Sequence, residues 1–235
     1  MDWDVRRFAE VDSTNRVALD QARSGRPAGF VAVAGHQTAG RGRRGRRWEA
    51  APGSALLVSV LLRPDLPPCR HHLAVWAVAL AAADACAVVA GVHPELKWPN
   101  DLVVGGAKLA GVLAEVERDA VVVGLGLNVA GAGPWPAGAA ALESVAGRAV
   151  DLHSLLDAFL SALAHRTADW QAVPSAYRHA CTTLGRLVRV ELDTGTVTGA
   201  AAEVTDEGHL LVHVGTCLRT ITAGDLVHLR PAAPY

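Results

Sequence analysis

A chain of 235 residues has room for one large domain, or for a main domain with a small appendage. With 51% hydrophobic and 19% charged residues it reads as a folded protein, and a net charge of -1 argues against a module that coats nucleic acid by bulk positive charge. Its four cysteines, Cys69, Cys86, Cys181 and Cys217, are far apart with no CxxC pair, which argues against a zinc site or disulfide scaffold and for a reducing, cytoplasmic compartment.

The N-terminus, MDWDVRRFAEVDSTN, holds no apolar run of the kind a secretory leader needs. Val5 to Val11 is predicted as an edge strand or a weak one, because Arg6 and Arg7 interrupt it. Asp12-Ser13-Thr14-Asn15 supplies the capping residues of a helix start, and Val17, Leu19 and Ala22 carry a short helix to Gly25. The same helix start offers hydroxyls and free amides to the polar head of a ligand.

Phe30 to Ala34 is a strand that leads through His36-Gln37-Thr38 into Gly40–Trp48, GRGRRGRRW. Five arginines (Arg41, Arg43, Arg44, Arg46, Arg47) stand there among three glycines. Unpaired guanidinium groups are too costly to bury, so this segment belongs at the surface. Its charge and pliable backbone suit a polyphosphate or a nucleic acid. The literal GxGxxG inside it is no dinucleotide fingerprint, because Pro52 and Gly53 follow where an apolar helix would have to start.

Ser54 to Leu62 is a nearly continuous apolar run, read as a buried strand. Arg70 to Val92 is a long alanine-rich helix. It has about the length of a membrane span, roughly 20 residues, but Asp84 in its middle favours a buried helix in a protein without membrane association. The run Lys97-Trp98-Pro99-Asn100-Asp101-Leu102 enters a turn, and Gly105-Gly106 closes a hairpin. Lys108 to Glu117 is the return strand by its flanking hairpin, although its composition also permits a helix. Ala120 to Val129 is another buried strand, in which Gly124 and Gly126 leave room for a group to approach the backbone, or mark a bulge. A Gly/Pro-rich loop spans 131–138, Leu152 to Trp170 is an amphipathic helix, and a second short helix covers Ser175 to Cys181. From Gly185 onward, five short strands separated by turn signals predict a small barrel. The expected division is 1–184 and 185–235.

All but two of the 22 basic residues are arginine. The exceptions, Lys97 and Lys108, lie close together in the chain. A lysine is a compact point charge that approaches a reacting phosphate or carboxylate in a way a guanidinium does not.

Ser13-Thr14-Asn15, Gln37, the loop from Gly40 to Trp48, KWPNDL from Lys97, Lys108-Leu109-Ala110-Gly111 and Gly124-Leu125-Gly126-Leu127-Asn128 together resemble the biotin protein ligase family, in the family's order and spacing. The resemblance covers most of the chain. It implies an α+β fold with a mixed sheet packed with helices, related to class II aminoacyl-tRNA synthetases, followed by an SH3-like barrel. It also implies a two-step reaction: biotin and MgATP form biotinyl-5'-AMP, and the biotinyl group passes to one lysine of a biotin carboxyl carrier domain.

By that resemblance Ser13, Thr14, Asn15, Gln37, Gly40, Arg41, Gly42, Arg43, Lys108 and Gly111 form the biotin site. Arg43, Arg46, Trp48, Asn100, Lys108 and Asn128 serve ATP and the adenylate, with Trp48 on adenine. Lys108 is the central cation and Lys97 a second one, Arg41 and Arg43 assist, and Asp101 orients the acceptor lysine or holds Mg2+. Arg44 and Arg47 read as solvated, and Trp98 and Trp135 as packing or site residues alike. The pattern starts within the first fifteen residues, so no DNA-binding domain and no specific DNA binding are expected. Ala139 to Val145 matches the family only loosely. The expected assembly is a monomer or weak homodimer. A lipoate or octanoate ligase or transferase shares the implied fold, and a nucleic-acid-binding module built on the arginine loop is the alternative from another class.

Overall fold

The computed structural model describes residues 2–131, 133 and 135–229. Its first sheet has seven strands in the order β1-β2-β3-β7-β6-β5-β4. These are β1 (Asp4–Val11), β2 (Phe30–Gln37), β3 (Ala55–Leu62), β4 (Glu95–Lys97), β5 (Asp101–Val104), β6 (Ala107–Glu117) and β7 (Ala120–Asn128). Only β1 and β2 run parallel; the other neighbours are antiparallel, so the sheet is mixed. β1 is indeed an edge strand.

β3 has every residue buried because both faces of the sheet are covered. On one face lies α1 (Thr14–Arg23), whose Ala18, Leu19 and Ala22 pack on Phe30, Ala32, Leu61 and Val122. On the other lies α2 (His72–Ala90), joined by α3 (Leu142–Ala146), α4 (Leu152–Ala168) and α5 (Val173–Ala180). α2 is apolar on nearly all sides because it is sandwiched between the sheet and α4. Its polar exception, Asp84, accepts two hydrogen bonds from the Arg166 guanidinium of α4, at 3.0 and 3.1 Å. α2 is the one described helix long and apolar enough to cross a membrane, and most of that stretch is buried inside the fold.

The hairpin decides the ambiguous segment from Lys108. Gly105 (φ 57°) and Gly106 (φ 81°) both take the left-handed conformation that a two-residue hairpin turn needs, and β6 then pairs with β5 and β7. β7 runs through Gly124 and Gly126 in unbroken register with β3 and β6, so these glycines mark no bulge. In the loop predicted over 131–138, positions 132 and 134 lie outside the described residues. α3, within the stretch that matched the family loosely, was not expected, and neither was β4 as a strand.

The second sheet is antiparallel, in the order β11-β10-β9-β8-β12, built from β8 (Leu187–Leu192), β9 (Gly195–Val204), β10 (Leu210–Val214), β11 (Cys217–Ile221) and β12 (Asp225–His228). All five predicted strands form. β11 and β12 are its two ends, with no ladder between them among the described residues. Trp98 ties the two sheets together. It is buried, its backbone N–H donates to Thr183 Oγ1 (3.0 Å) and its indole N–H to Gly208 O (3.0 Å). Packing is therefore part of its role.

Candidate active site

The α1 face of the sheet is interrupted where its strands carry glycine. Gly111 of β6 is paired directly with Gly126 of β7, and Gly124 with Leu113 on one side and Ser59 on the other. Two groups of side chains use this gap. A Cβ on Gly126 would collide with the Trp48 indole, and one on Gly124 with Asn15 Oδ1. These are the groups that approach the backbone at the two glycines. A cavity of about 360 Å³ opens above this floor.

The wall on the α1 side is a continuous polar network. Ser13 is the helix N-cap, buried yet making no side-chain capping bond. The Thr14 backbone N–H donates to Gln37 Oε1 at 2.7 Å, and the Thr14 hydroxyl oxygen lies 3.0 Å from the same atom. Ser59 Oγ lies 2.7 Å from Thr14 Oγ1 and 2.6 Å from Asn15 Oδ1. Asn15 Nδ2 donates to Glu115 Oε2 at 2.9 Å, and Arg41 Nη1 meets Glu115 Oε1 at 2.8 Å.

The arginine loop forms the lid. It folds as a small hairpin, with an antiparallel bridge between Arg41 and Arg47, Gly42 N–H on Arg46 O (2.7 Å) and Trp48 N–H on Gly40 O (3.0 Å). Arg44 sits at its tip with φ 55°, in the left-handed region. Each arginine has a different partner. Arg43 Nη1 donates to Asn100 Oδ1 (3.0 Å), and Arg47 Nη2 to Thr38 O (2.8 Å). Arg44 pairs with Asp193 and Arg46 with Asp225, both from the C-terminal unit. Burial lowers the Arg43 pKa, opposed by Asp225 and Asp101; the guanidinium stays charged.

Opposite the lid stand the two lysines. Lys108 Nζ is 2.6 Å from Asp101 Oδ1 and 5.8 Å from the centroid of the Trp48 ring. Lys97 is half-buried, and its pKa is lowered by burial first, with the Lys108 charge adding to this and Asp101 opposing it.

Of the predicted set, Ser13, Thr14, Asn15, Gln37, Arg41, Gly42, Arg43, Arg46, Trp48, Lys97, Asn100, Asp101, Lys108 and Gly111 all line this one cavity. Gly40 and Asn128 do not. Gly40 closes the base of the loop, where a Cβ would strike Trp48 O. Asn128 is buried with its amide on Ala140 O (2.9 Å) and Lys108 O (3.4 Å), so it braces the Lys108 strand instead of facing the cavity. Asn100 lines the cavity with both ends of its amide engaged, on Arg43 and on Val112 O (2.7 Å). Arg47, read as solvated, lines the cavity as well, and Arg44 holds the C-terminal unit. Trp135 bonds Ala130 O (2.9 Å) at the loop and stays away from the cavity lining.

Four participants were not anticipated: Ser59, Glu115, Asp193 and Asp225. Glu115 had a sequence signal, since Gly111, Leu113 and Glu115 share one face of a strand by period two. Asp193 and Asp225 had none, being more than 140 residues away from the loop they touch. Among the described residues no group of three or more His, Cys, Asp or Glu is placed to hold a metal ion.

A glycine-floored cleft walled by hydroxyls and amides, with lysines and arginines converging above it, is the site of a group-transfer enzyme that handles anionic substrates. The profile of the Biotin/lipoate A/B protein ligase family matches residues 8–128, and that of the biotin protein ligase C-terminal domain residues 183–229. The chain is 39% identical over 233 residues to a biotin–[acetyl-CoA-carboxylase] ligase of Mycobacterium tuberculosis, covering 94% of this chain and 88% of the relative. It is 28% identical to the bifunctional ligase/repressor BirA of Bacillus subtilis, covering 92% and 71%. The structure of the Aquifex aeolicus biotin protein ligase in complex with biotin and ATP superposes with a TM-score of 0.83 at 25% identity, covering 96% of this chain and 99% of that one. The chain belongs to the biotin/lipoate A/B protein ligase family.

Proposed function

We infer that the chain is a biotin protein ligase, forming biotinyl-5'-AMP from biotin and ATP and passing the biotinyl group to the carrier of an acetyl-CoA carboxylase. The observation that carries this reading is the convergence of Lys108, Asp101, Arg43 and Trp48 with the α1 hydroxyls in a single cavity. Residues 1–184 act as the catalytic unit and 185–235 as a separate C-terminal unit. The compartment is cytoplasmic.

The chemistry asks for charge neutralisation more than for proton transfer. Biotin's carboxylate is ionised already and attacks the α-phosphorus directly, displacing pyrophosphate. Ser13, Thr14 and Gln37 hold the neutral bicyclic head of biotin by hydrogen bonds. Arg43 and Arg46 take phosphate oxygens. Lys108, oriented by Asp101, neutralises the junction between the carboxylate and the α-phosphate. Trp48 stacks on adenine. Magnesium arrives as part of the MgATP substrate, bound chiefly by the phosphates. In the second step the acceptor amine attacks the acyl carbon, the acyl–phosphate bond breaks, and AMP and a proton leave.

ATP–pyrophosphate exchange tests the reading. Exchange is expected with biotin and not with lipoate, and Lys108→Ala is expected to reduce it about a hundred-fold or more, the scale of losing one preorganised charge-stabilising group. Exchange with lipoate alone would assign the chain to the lipoate branch of the family.

A further inference from the structure

The proposed function accounts for the groups that face the cavity, but not for what sits behind them. Glu115 is on β6, with a side chain only 21% exposed, and one oxygen each goes to two different parts of the site. Oε1 holds Arg41 of the lid and Oε2 holds Asn15 of α1. A carboxylate only accepts hydrogen bonds, so it dictates which way the Asn15 amide points: NH2 toward β6, oxygen toward Ser59. The single Ser59 proton then goes to Asn15 Oδ1, and Ser59 Oγ accepts from the Thr14 hydroxyl, 2.7 Å away. Thr14 in turn holds Gln37 Oε1 by its backbone N–H.

The chain of contacts Gln37–Thr14–Ser59–Asn15–Glu115–Arg41 therefore runs unbroken along the α1 wall of the cavity, from the strand before the lid to the lid's first arginine. Glu115 is the only carboxylate in it, and so the group that compensates the Arg41 charge at the lid's hinge. The other ion pairs from the lid that reach beyond its own strand end on the C-terminal unit. Among the described residues, no other carboxylate of the catalytic sheet pairs with Arg41.

We propose that Glu115 is a positioning residue for this ligase: it anchors Arg41, and through it the arginine lid, to the wall formed by Thr14, Asn15 and Gln37, so that the wall and the lid form one site. The proposal rests on the ligase reading, and wild-type exchange with biotin checks that reading independently.

The test is a double-mutant cycle of Glu115→Gln and Arg41→Ala, read by pyrophosphate exchange with KM for biotin, KM for ATP and kcat separated. Glu115→Gln is close in shape but cannot accept from both partners with charge. It is expected to raise KM for biotin about ten-fold, with a melting temperature near that of the wild type. Adding it to Arg41→Ala is expected to change KM for biotin by less than about two-fold, because the partner is already gone. Glu115→Asp, which keeps the charge, is expected to fall between wild type and Gln, and carries the same cycle if Glu115→Gln fails to fold. Wild-type KM in Glu115→Gln, or effects of the two substitutions that multiply in full, would overturn the proposal. Absence of biotin-dependent exchange in the wild type would instead overturn the ligase reading.

Discussion

At the scale of single residues, the site is organised by what is missing. Gly111 and Gly126 face each other across the β6–β7 ladder, and the absence of both side chains lets the flat Trp48 ring lie on the sheet. Gly126→Ala is therefore expected to expel Trp48, whose rigid ring cannot give way as a flexible side chain would. The resulting displacement should raise KM for ATP about ten-fold or more while circular dichroism stays unchanged, since misplacing a site group by an ångström costs up to about a hundred-fold. The Trp48 indole N–H is buried against the sheet at Gly126 and has no hydrogen-bond partner among the described residues. The two lysines show the complementary rule. Lys108→Arg is expected to leave exchange close to that of Lys108→Ala, because a broad guanidinium does not replace a compact ammonium held by Asp101 at 2.6 Å.

At the scale of elements, the lid is held from both sides by opposite charge. Its glycines and the mutual repulsion of five arginines disfavour one fixed conformation, and the pairs with Asp193 and Asp225 counter this from the C-terminal unit. Such partly exposed pairs contribute little to global stability, about 0–1 kcal/mol each. Asp225→Asn is accordingly expected to leave the melting temperature nearly unchanged but to speed trypsin cleavage at Arg44 and Arg46 several-fold in the ligand-free protein. Adding biotin and ATP should slow cleavage in both proteins; equal cleavage rates with and without these ligands would count against a lid that orders over the adenylate. The lid also shows where pattern reading stops. Five arginines in nine residues announce an anion site, but which arginine faces the ligand and which a carboxylate depends on Glu115, Asp193 and Asp225, all far along the chain.

At the scale of the whole molecule, the seam between the two sheets has its own pH dependence. His228 of β12 is 3.1 Å from Thr183 Oγ1, and its pKa is lowered from 6.5 to about 4, by burial first and then by the nearby charges of Lys97 and Arg186. A histidine that binds its proton less readily when folded favours unfolding as it protonates. Its contribution is complete above pH 6.5 and is lost as the pH falls toward 4. Urea midpoints measured from pH 7.5 to 4 should fall less steeply in His228→Gln than in the wild type; parallel curves would show that this histidine does not govern the seam.

Much of this architecture is legible in the amino-acid sequence by itself. Apolar runs report buried strands, Gly105-Gly106 a hairpin, the alanine-rich stretch a buried helix, and the turn signals after Gly185 five short strands, because these depend on neighbours a few residues apart. The site motifs are legible for the same reason, each being a local cluster of unusual chemistry. The roles of Asn128, Gly40, Glu115 and Asp225 are not, since what a side chain touches depends on strand register and on which face of the sheet it leaves. Asn128 and Gly126 are two positions apart on one strand, yet the first braces a backbone while the second forms the floor. Only the folded sheet, by placing β3, β6, β7 and the arginine lid side by side, could decide which polar groups would be consumed by the protein itself and which would remain for the substrate.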